Sequence, residues 1–274
     1  MGKFDGVLLA SDYDNTLVYT EDALLSGGKL PPLSRENREA IEYFMAEGGI
    51  FSVATGRALP SFAPIAPTIP MNGPTILFNG AAIYDFSQAR YLATAFLPDG
   101  IRELLAPVEA AFSGLTCEIY HEGSDIHILH PNELTRNHMH LTDSSAIELS
   151  SIAQVPTPIS KVLFEETGER GQALEQYVRS MPWAEDFEIV KSGKFFLEIT
   201  AKGATKGGMI RRGGGPSCWA SVGRMCAAWA TISMTSPCSP SPATHLRRRT
   251  PWRRCGRRRR SSCCRTAARV PWRS

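Results

Sequence analysis

Phe4-Asp5-Gly6-Val7-Leu8-Leu9-Ala10-Ser11-Asp12-Tyr13-Asp14-Asn15-Thr16 is the stretch whose reading decides the fold. Val7 to Ala10 form an apolar run without alternation, the pattern of a short strand in a parallel sheet covered on both faces. The strand reads over residues 4–11 and runs directly into Asp12 and Asp14. Extended backbone points residues two apart the same way, so both carboxylates face the crevice at the strand's carboxyl end. Paired acids there can share a divalent cation, or one can attack phosphorus while the other moves a proton. A surface turn rich in Asp and Asn is the alternative, and the motif alone leaves the two readings even.

Working outward, Ser34 reads as a helix N-cap, and Ala40, Ile41, Phe44 and Met45 repeat at helical spacing until Gly48-Gly49 stops the helix. A second strand over residues 50–54 ends at Thr55-Gly56-Arg57. Proline-rich residues 60–74 read as loop, and a third strand over 75–78 ends at Asn79-Gly80. Strand, helix, strand in this order implies a right-handed parallel unit with its loops gathered at the strands' carboxyl ends.

From about Asp85 the rhythm changes. Strands are expected over 91–97, 116–121, 125–130 and 161–165, with helices over 100–112 and 172–181. A hairpin over 187–190 and 194–200, turning at Ser192-Gly193, then returns the chain toward its first part. The fold class implied is α/β: a Rossmann-like three-layer core with a parallel sheet and an inserted α+β cap. Its parts are 1–84 (core), 85–195 (cap), 196–211 (return to the core) and 212–274 (tail).

Thr55-Gly56-Arg57 opens onto the same edge as Asp12, where a hydroxyl and backbone N–H groups can hold a phosphate oxygen. Lys206, in Lys202-Gly203-Ala204-Thr205-Lys206-Gly207-Gly208, puts a point charge on a glycine-rich turn, where it would offset a carboxylate and a transferring phosphoryl group. Each signal is weak singly, since Thr-Gly also makes ordinary loops and an isolated lysine is most often solvated surface. Their order is specific.

Taken together, Asp12-Tyr13-Asp14-Asn15-Thr16, Thr55-Gly56-Arg57, Asn79-Gly80-Ala81 and Lys206-Gly207 make residues 4–211 resemble the haloacid dehalogenase-like superfamily, specifically the Cof-type phosphatases with a large inserted cap. The resemblance implies Asp12 as a nucleophile forming an aspartyl-phosphate and Asp14 as the acid/base. Asp12's carboxylate and Asp14's carbonyl would ligate Mg²⁺. It further implies that Thr55 binds phosphoryl oxygens, that Lys206 steadies nucleophile and phosphate, and that Gly56, Arg57, Asn79 and Gly80 lie near the substrate. The implied activity is Mg²⁺-dependent hydrolysis of a small phosphate monoester, a sugar phosphate or a phosphorylated cofactor. Phosphosugar mutase or phosphotransferase chemistry and a non-catalytic phosphate- or nucleic-acid-binding role are the alternatives.

Five histidines, His121, His127, His130, His138 and His140, fall in the cap span. His127 and His130, three apart on a strand, face opposite sides, so a polar, substrate-facing surface is expected in place of a zinc site.

Charge divides the chain sharply. Residues 1–210 carry 15 basic and 27 acidic side chains, net −12, whereas 211–274 carry 15 basic and no acidic ones, net +15. Cys117 stands alone before the tail, and Cys218, Cys226, Cys238, Cys255, Cys263 and Cys264 crowd it. One cysteine in the body and an N-terminal apolar run too short for a signal peptide point to a reducing cytoplasm, with no membrane partner.

The superfamily's fourth motif, Gly-Asp followed by further Asn and Asp residues that complete the Mg²⁺ site, is absent, because no acid follows Glu198. The arginine-rich, lysine-free tail could be a nucleic-acid arm, but its composition is that of G+C-rich coding DNA read out of frame. Joining the last base of each codon to the first two of the next makes Trp229-Ala230 encode Gly and Met234-Thr235 encode Asp, and permits Gly-Asp-Asn-Leu-Asn-Asp across them. A one-nucleotide frameshift near Arg212 is therefore expected, with a disordered tail, low activity of the chain as written and nucleic acid not among its partners.

Overall fold

The structure, a computed structural model, describes residues 2–123, 125–212 and 226–230. The chain opens with β1 (Val7–Ser11), the short helix α1 (Glu21–Ser26), α2 (Arg35–Ala46) and β2 (Ile50–Val53). Ser34 caps α2 as expected, its side chain accepting from Asn37 N. The proline-rich stretch is not plain loop: it holds α3 (Leu59–Phe62) and a single 3₁₀ turn at Ala66–Thr68, because proline is well placed in a first helical turn. β3 (Thr75–Leu77), β4 (Ala82–Asp85) and β5 (Arg90–Thr94) follow.

Then come α4 (Ile101–Ala111), β6 (Thr116–Tyr120), β7 (Ile126–Leu129), α5 (Glu133–Leu141), β8 (Ile147–Leu149) and β9 (Lys161–Glu165). The chain continues through α6 (Gly168–Ser180), β10 (Phe187–Ser192), β11 (Phe196–Ala201), α7 (Lys206–Arg212) and β12 (Cys226–Ala230). The expected disordered tail, 212–274, lies outside the described residues, except that Arg212 ends α7 and Cys226–Ala230 form β12.

The fold is α/β. β12, β1 and β2 form a parallel sheet in that order, and a parallel bridge from Ala54 to Ile76 carries the pairing on toward β3. Strand alternation sends Leu8 and Ala10 to one side, packed with Met209 of α7, while Phe51 and Val53 pack with Ile41 of α2 on the other. Helices on both faces explain why β1 reads as an unbroken apolar run. β5, expected over 91–97, pairs antiparallel with β4, which itself pairs with β3.

The second large sheet is six-stranded, in the order β10-β11-β9-β6-β7-β8, antiparallel except for the β7–β8 pair. One face packs Cys117, Ile119, Val162, Phe164, Leu197 and Ile199 against α4 and α6. The other face carries Tyr120, Ile126, Ile128 and Leu163 into a core shared with Tyr13, Phe62 and Phe78, residues beside the carboxyl ends of β1 and β3. That face lies over the crevice.

Candidate active site

Asp12 leaves β1 at the sheet's carboxyl edge. Its Oδ1 accepts from Tyr13 N at 2.8 Å, and its Oδ2 accepts from Lys206 Nζ at 2.6 Å. Burial pushes the Asp12 carboxyl above the usual range, and the Lys206 ammonium offsets part of that rise. Lys206, 194 residues away in sequence, reaches Asp12 because it begins α7 immediately after a turn locked to the Asn79-Gly80 segment. Gly80 has φ +112°, and a Cβ there would stand 2.3 Å from the carbonyl carbon of Thr205. Only glycine permits this approach, and the approach positions Lys206.

Asp14, two residues on, is held by Arg57 in a fork: Nη2 donates to Oδ1 at 2.8 Å and Nε donates to Oδ2 at 3.0 Å. Burial alone would raise Asp14, but the Arg57 charge and hydrogen bonds outweigh it, so Asp14 sits below the usual carboxylate range. Arg57 also stacks over the Tyr13 ring, 5.2 Å from its centroid, and its Nη1 is buried with no hydrogen-bond partner. Thr55 is fully buried at the end of the second strand. Its hydroxyl lies 3.5 Å from Asp14 Oδ2 and accepts from Arg57 N at 3.1 Å, a small turn that fixes where the guanidinium emerges.

Asn79 adopts the left-handed conformation, φ 56°, and its N–H donates to Thr55 O at 3.0 Å. Its side chain packs so close to Gly56 that a Cβ on Gly56 would stand 3.0 Å from Asn79 Oδ1. Asp12, Asp14, Thr55, Gly56, Arg57, Asn79, Gly80 and Lys206 thus form one connected set at one sheet edge.

Two further charges reach this set from the six-stranded sheet, and sequence reasoning missed both. Lys161 Nζ donates to Gly56 O at 2.9 Å and pairs with Glu198 Oε2 at 2.8 Å, and Glu198 Oε2 accepts from Asn79 Nδ2 at 2.7 Å. Both side chains are about 95 % buried, and Lys161 also stands 4.6 Å above the Tyr120 ring. Burial would raise Glu198, but Lys161 overrides it and holds the carboxyl below its usual range. The available signal was a charge inside an otherwise apolar strand, Glu198 between Leu197 and Ile199.

For a divalent cation at this edge, the described residues supply the Asp12 carboxylate and the Asp14 carbonyl; the Asp14 carboxylate is engaged by Arg57. Mg²⁺ is commonly held by one or two carboxylates plus waters and substrate phosphate, so the set meets that minimum and no more.

A family profile for haloacid dehalogenase-like hydrolases matches residues 9–212, from the middle of β1 to the end of α7. The chain belongs to the haloacid dehalogenase-like hydrolase family. Solved structures agree on the fold. A subclass IIB sugar phosphatase of this superfamily is 22 % identical with a TM-score of 0.58, covering 74 % of this chain and 73 % of that one. A haloacid dehalogenase-like hydrolase from Bacteroides thetaiotaomicron gives 0.62 at 18 % identity, covering 82 % and 81 %. One from B. subtilis gives 0.57 at 20 % identity, covering 75 % and 76 %. No curated protein sequence matches the chain at a significant level. Among the described residues no helix is long and apolar enough to cross a membrane.

Proposed function

We propose that this haloacid dehalogenase-like protein is a cytoplasmic, Mg²⁺-dependent phosphatase of small phosphate monoesters, a sugar phosphate or phosphorylated cofactor, acting through an aspartyl-phosphate on Asp12. The observation that carries the reading is the Asp12–Lys206 pair at 2.6 Å on the sheet's carboxyl edge, with Asp14 two residues on. Phosphoryl transfer asks for positioning and positive charge more than for covalent chemistry, and this edge supplies Lys206, Arg57 and backbone N–H groups. One relative in fold is described as a member of a phosphoryl-transfer superfamily, at TM-score 0.56 and 21 % identity.

An Asp12 carboxylate oxygen attacks phosphorus, the ester P–O bond breaks, and the departing oxygen takes a proton from Asp14. Asp14 then removes a proton from water, which hydrolyses the acyl phosphate and returns Asp12 and inorganic phosphate. Asp14 can be protonated only when Arg57 lets it go. Arg57 Nη1, buried and unpartnered, is the donor a bound phosphate or hydroxyl would take, and that contact draws the fork away from Asp14. Thr55 and Gly56 hold the phosphoryl oxygens, Asn79 and Gly80 shape the adjoining turn, and Lys206 neutralises charge. Mg²⁺, when bound at Asp12 and the Asp14 carbonyl, supplies further neutralisation of the phosphoryl oxygens.

In the same reading, residues 1–84 and 196–211 form the core, 85–195 the cap, and 212–274 a frameshifted tail. The position of β12 supports it. β12 runs parallel to β1 with Ala230 opposite Ser11, so its carboxyl end stands beside the residue before Asp12. The displaced frame puts Gly at the 229–230 junction and Asp five codons later, where missing metal ligands would belong. The chain as written is therefore a slow enzyme. The test is hydrolysis of an aryl phosphate with and without Mg²⁺, in this chain and in one carrying the displaced frame. Faster turnover by the repaired chain, lost in Asp12→Asn, is expected; equal turnover by both would contradict the tail reading, and turnover surviving Asp12→Asn would contradict the nucleophile.

A further inference from the structure

The six-stranded sheet carries a second group of buried ionisable side chains that includes neither Asp12 nor Asp14. β6 and β9 pair antiparallel with Glu118 opposite Leu163 and Thr116 opposite Glu165. Glu118 and Glu165 are therefore diagonal neighbours on one face, close enough for long side chains to meet. α5 crosses above them and presents Thr135 and His138, three apart and on one side of the helix.

Each partner can be followed. His138 Nδ1 lies 2.8 Å from Glu118 Oε1, and Glu118's other oxygen accepts from the Tyr120 hydroxyl. Thr135 Oγ1 donates to Glu165 Oε2 at 2.6 Å. Glu165 Oε1 is buried with no hydrogen-bond partner, although the residue is 98 % buried and its carboxyl faces that of Glu118. A ligand atom from each of Glu118, Glu165 and His138 lies within 4.8 Å of the others. Two buried carboxyls face each other where an imidazole also reaches, and among the described residues only a proton shared between the carboxyls, or a cation in its place, can serve Glu165 Oε1.

We propose that Glu118, Glu165 and His138 form a second metal site, taking a divalent transition metal with mixed oxygen and imidazole ligation. An imidazole among the donors favours the Mn²⁺, Fe²⁺ and Zn²⁺ class over Mg²⁺, which prefers oxygen throughout. Metal-free, Glu165 keeps a proton; burial and the adjacent Glu118 both push that carboxyl up. On binding, the Glu165 proton leaves and the ion takes its place. Ligands on such ions stand roughly 3.3 Å apart for bonds of about 2.0–2.1 Å, so His138 must retreat a few tenths of an ångström from Glu118. Its side chain is the one member of the three with partial exposure, 16 %, and can make that shift. The ion would tie β6, β9 and α5 together independently of the phosphatase reading.

The probe is Mn²⁺, because six of the seven cysteines follow residue 212 and thiolates would compete for zinc. Full-length protein, stripped with chelator and held in excess Mg²⁺, is titrated with Mn²⁺ while the free-ion paramagnetic signal is followed. One Mn²⁺ per chain is expected, binding more tightly as pH rises, unchanged in Asp12→Asn and weakened at least tenfold in Glu165→Gln and in His138→Gln. Glu165→Gln copies the protonated carboxyl, so its metal-free melting temperature matches wild type near pH 5 and does not fall below it at higher pH, while the Mn²⁺-induced increase is lost. No binding beyond the Mg²⁺-competed level, equal binding in Glu165→Gln, or loss of binding in Asp12→Asn overturns the proposal.

Discussion

The crevice floor and the sheet face above it bury acids in different ways. On the floor each acid has its own cation, Lys206 for Asp12 and Arg57 for Asp14. On the sheet face Glu198 has Lys161, but Glu118 and Glu165 share one imidazole. A cation beside each acid opposes the rise that burial causes, whereas acids sharing too little positive charge hold on to a proton or recruit a cation. On the readings proposed above, the contrast separates a site that reacts from one that binds.

The largest effect should come from breaking the floor. Asp12→Asn removes the proposed nucleophile, and Mg²⁺-dependent turnover of an aryl phosphate should fall about a thousandfold or more. Next comes the link between the two regions. Lys161→Met leaves the buried Glu198 without its cation and should cost about 3–5 kcal/mol in urea unfolding, while Lys161→Met with Glu198→Leu should recover most of it. No recovery would mean that the pair's contacts to Gly56 and Asn79 matter more than its charge. Gly80→Ala forces a Cβ onto Thr205 at positive φ and should cost about 1–3 kcal/mol, with a matching loss of activity as Lys206 shifts.

A gentler test sharpens the contrast on the sheet face. Glu165's folded value lies above its unfolded one, so the fold favours its protonated form. That contribution is complete below the ordinary value of 4.5 and is lost as pH rises through the folded value. Metal-free Glu165→Gln should therefore match wild type near pH 5 and exceed it by about 1–3 kcal/mol at alkaline pH, read from urea midpoints at several pH values. Glu198, held low by Lys161, works in the opposite sense: its contribution is present above 4.5 and fades as pH falls. Smallest of all, Ser34→Ala removes the cap of α2, which belongs to neither set of acids, and should cost about 1 kcal/mol without changing turnover.

How much of this was legible beforehand follows the physics of sequence separation. β1, α2, β2 and the polar turns after them could be read because each signal is local: an apolar run, a capping serine, a glycine stop. β9 was readable over its whole length, 161–165, yet its partners were not, since pairing with β6 and β11 is set by contacts tens of residues apart. α5 is absent from the sequence-based elements, although Asn132 and Thr135 form its capping box. Its nine residues make about two and a half turns, too short a window for helical periodicity to stand out from its neighbours. β8 was missed because its three residues are too few to show alternation. That Asp12, Asp14, Thr55, Arg57 and Lys206 lie together was legible from spacing and order. Lys161 and Glu198 were not, because nothing local tells a buried charge in a strand from an exposed one. Counting histidines likewise could not find a cluster whose other two members are glutamates on neighbouring strands.

The central claim, that Asp12 accepts the phosphoryl group, is tested most directly by acid-quenching the full-length protein during exposure to an aryl phosphate and Mg²⁺ and mapping covalent phosphate by mass spectrometry. The account expects hydroxylamine-labile phosphate on the peptide carrying Asp12 and none in Asp12→Asn. Phosphate retained in Asp12→Asn, or found only on another peptide, would contradict it.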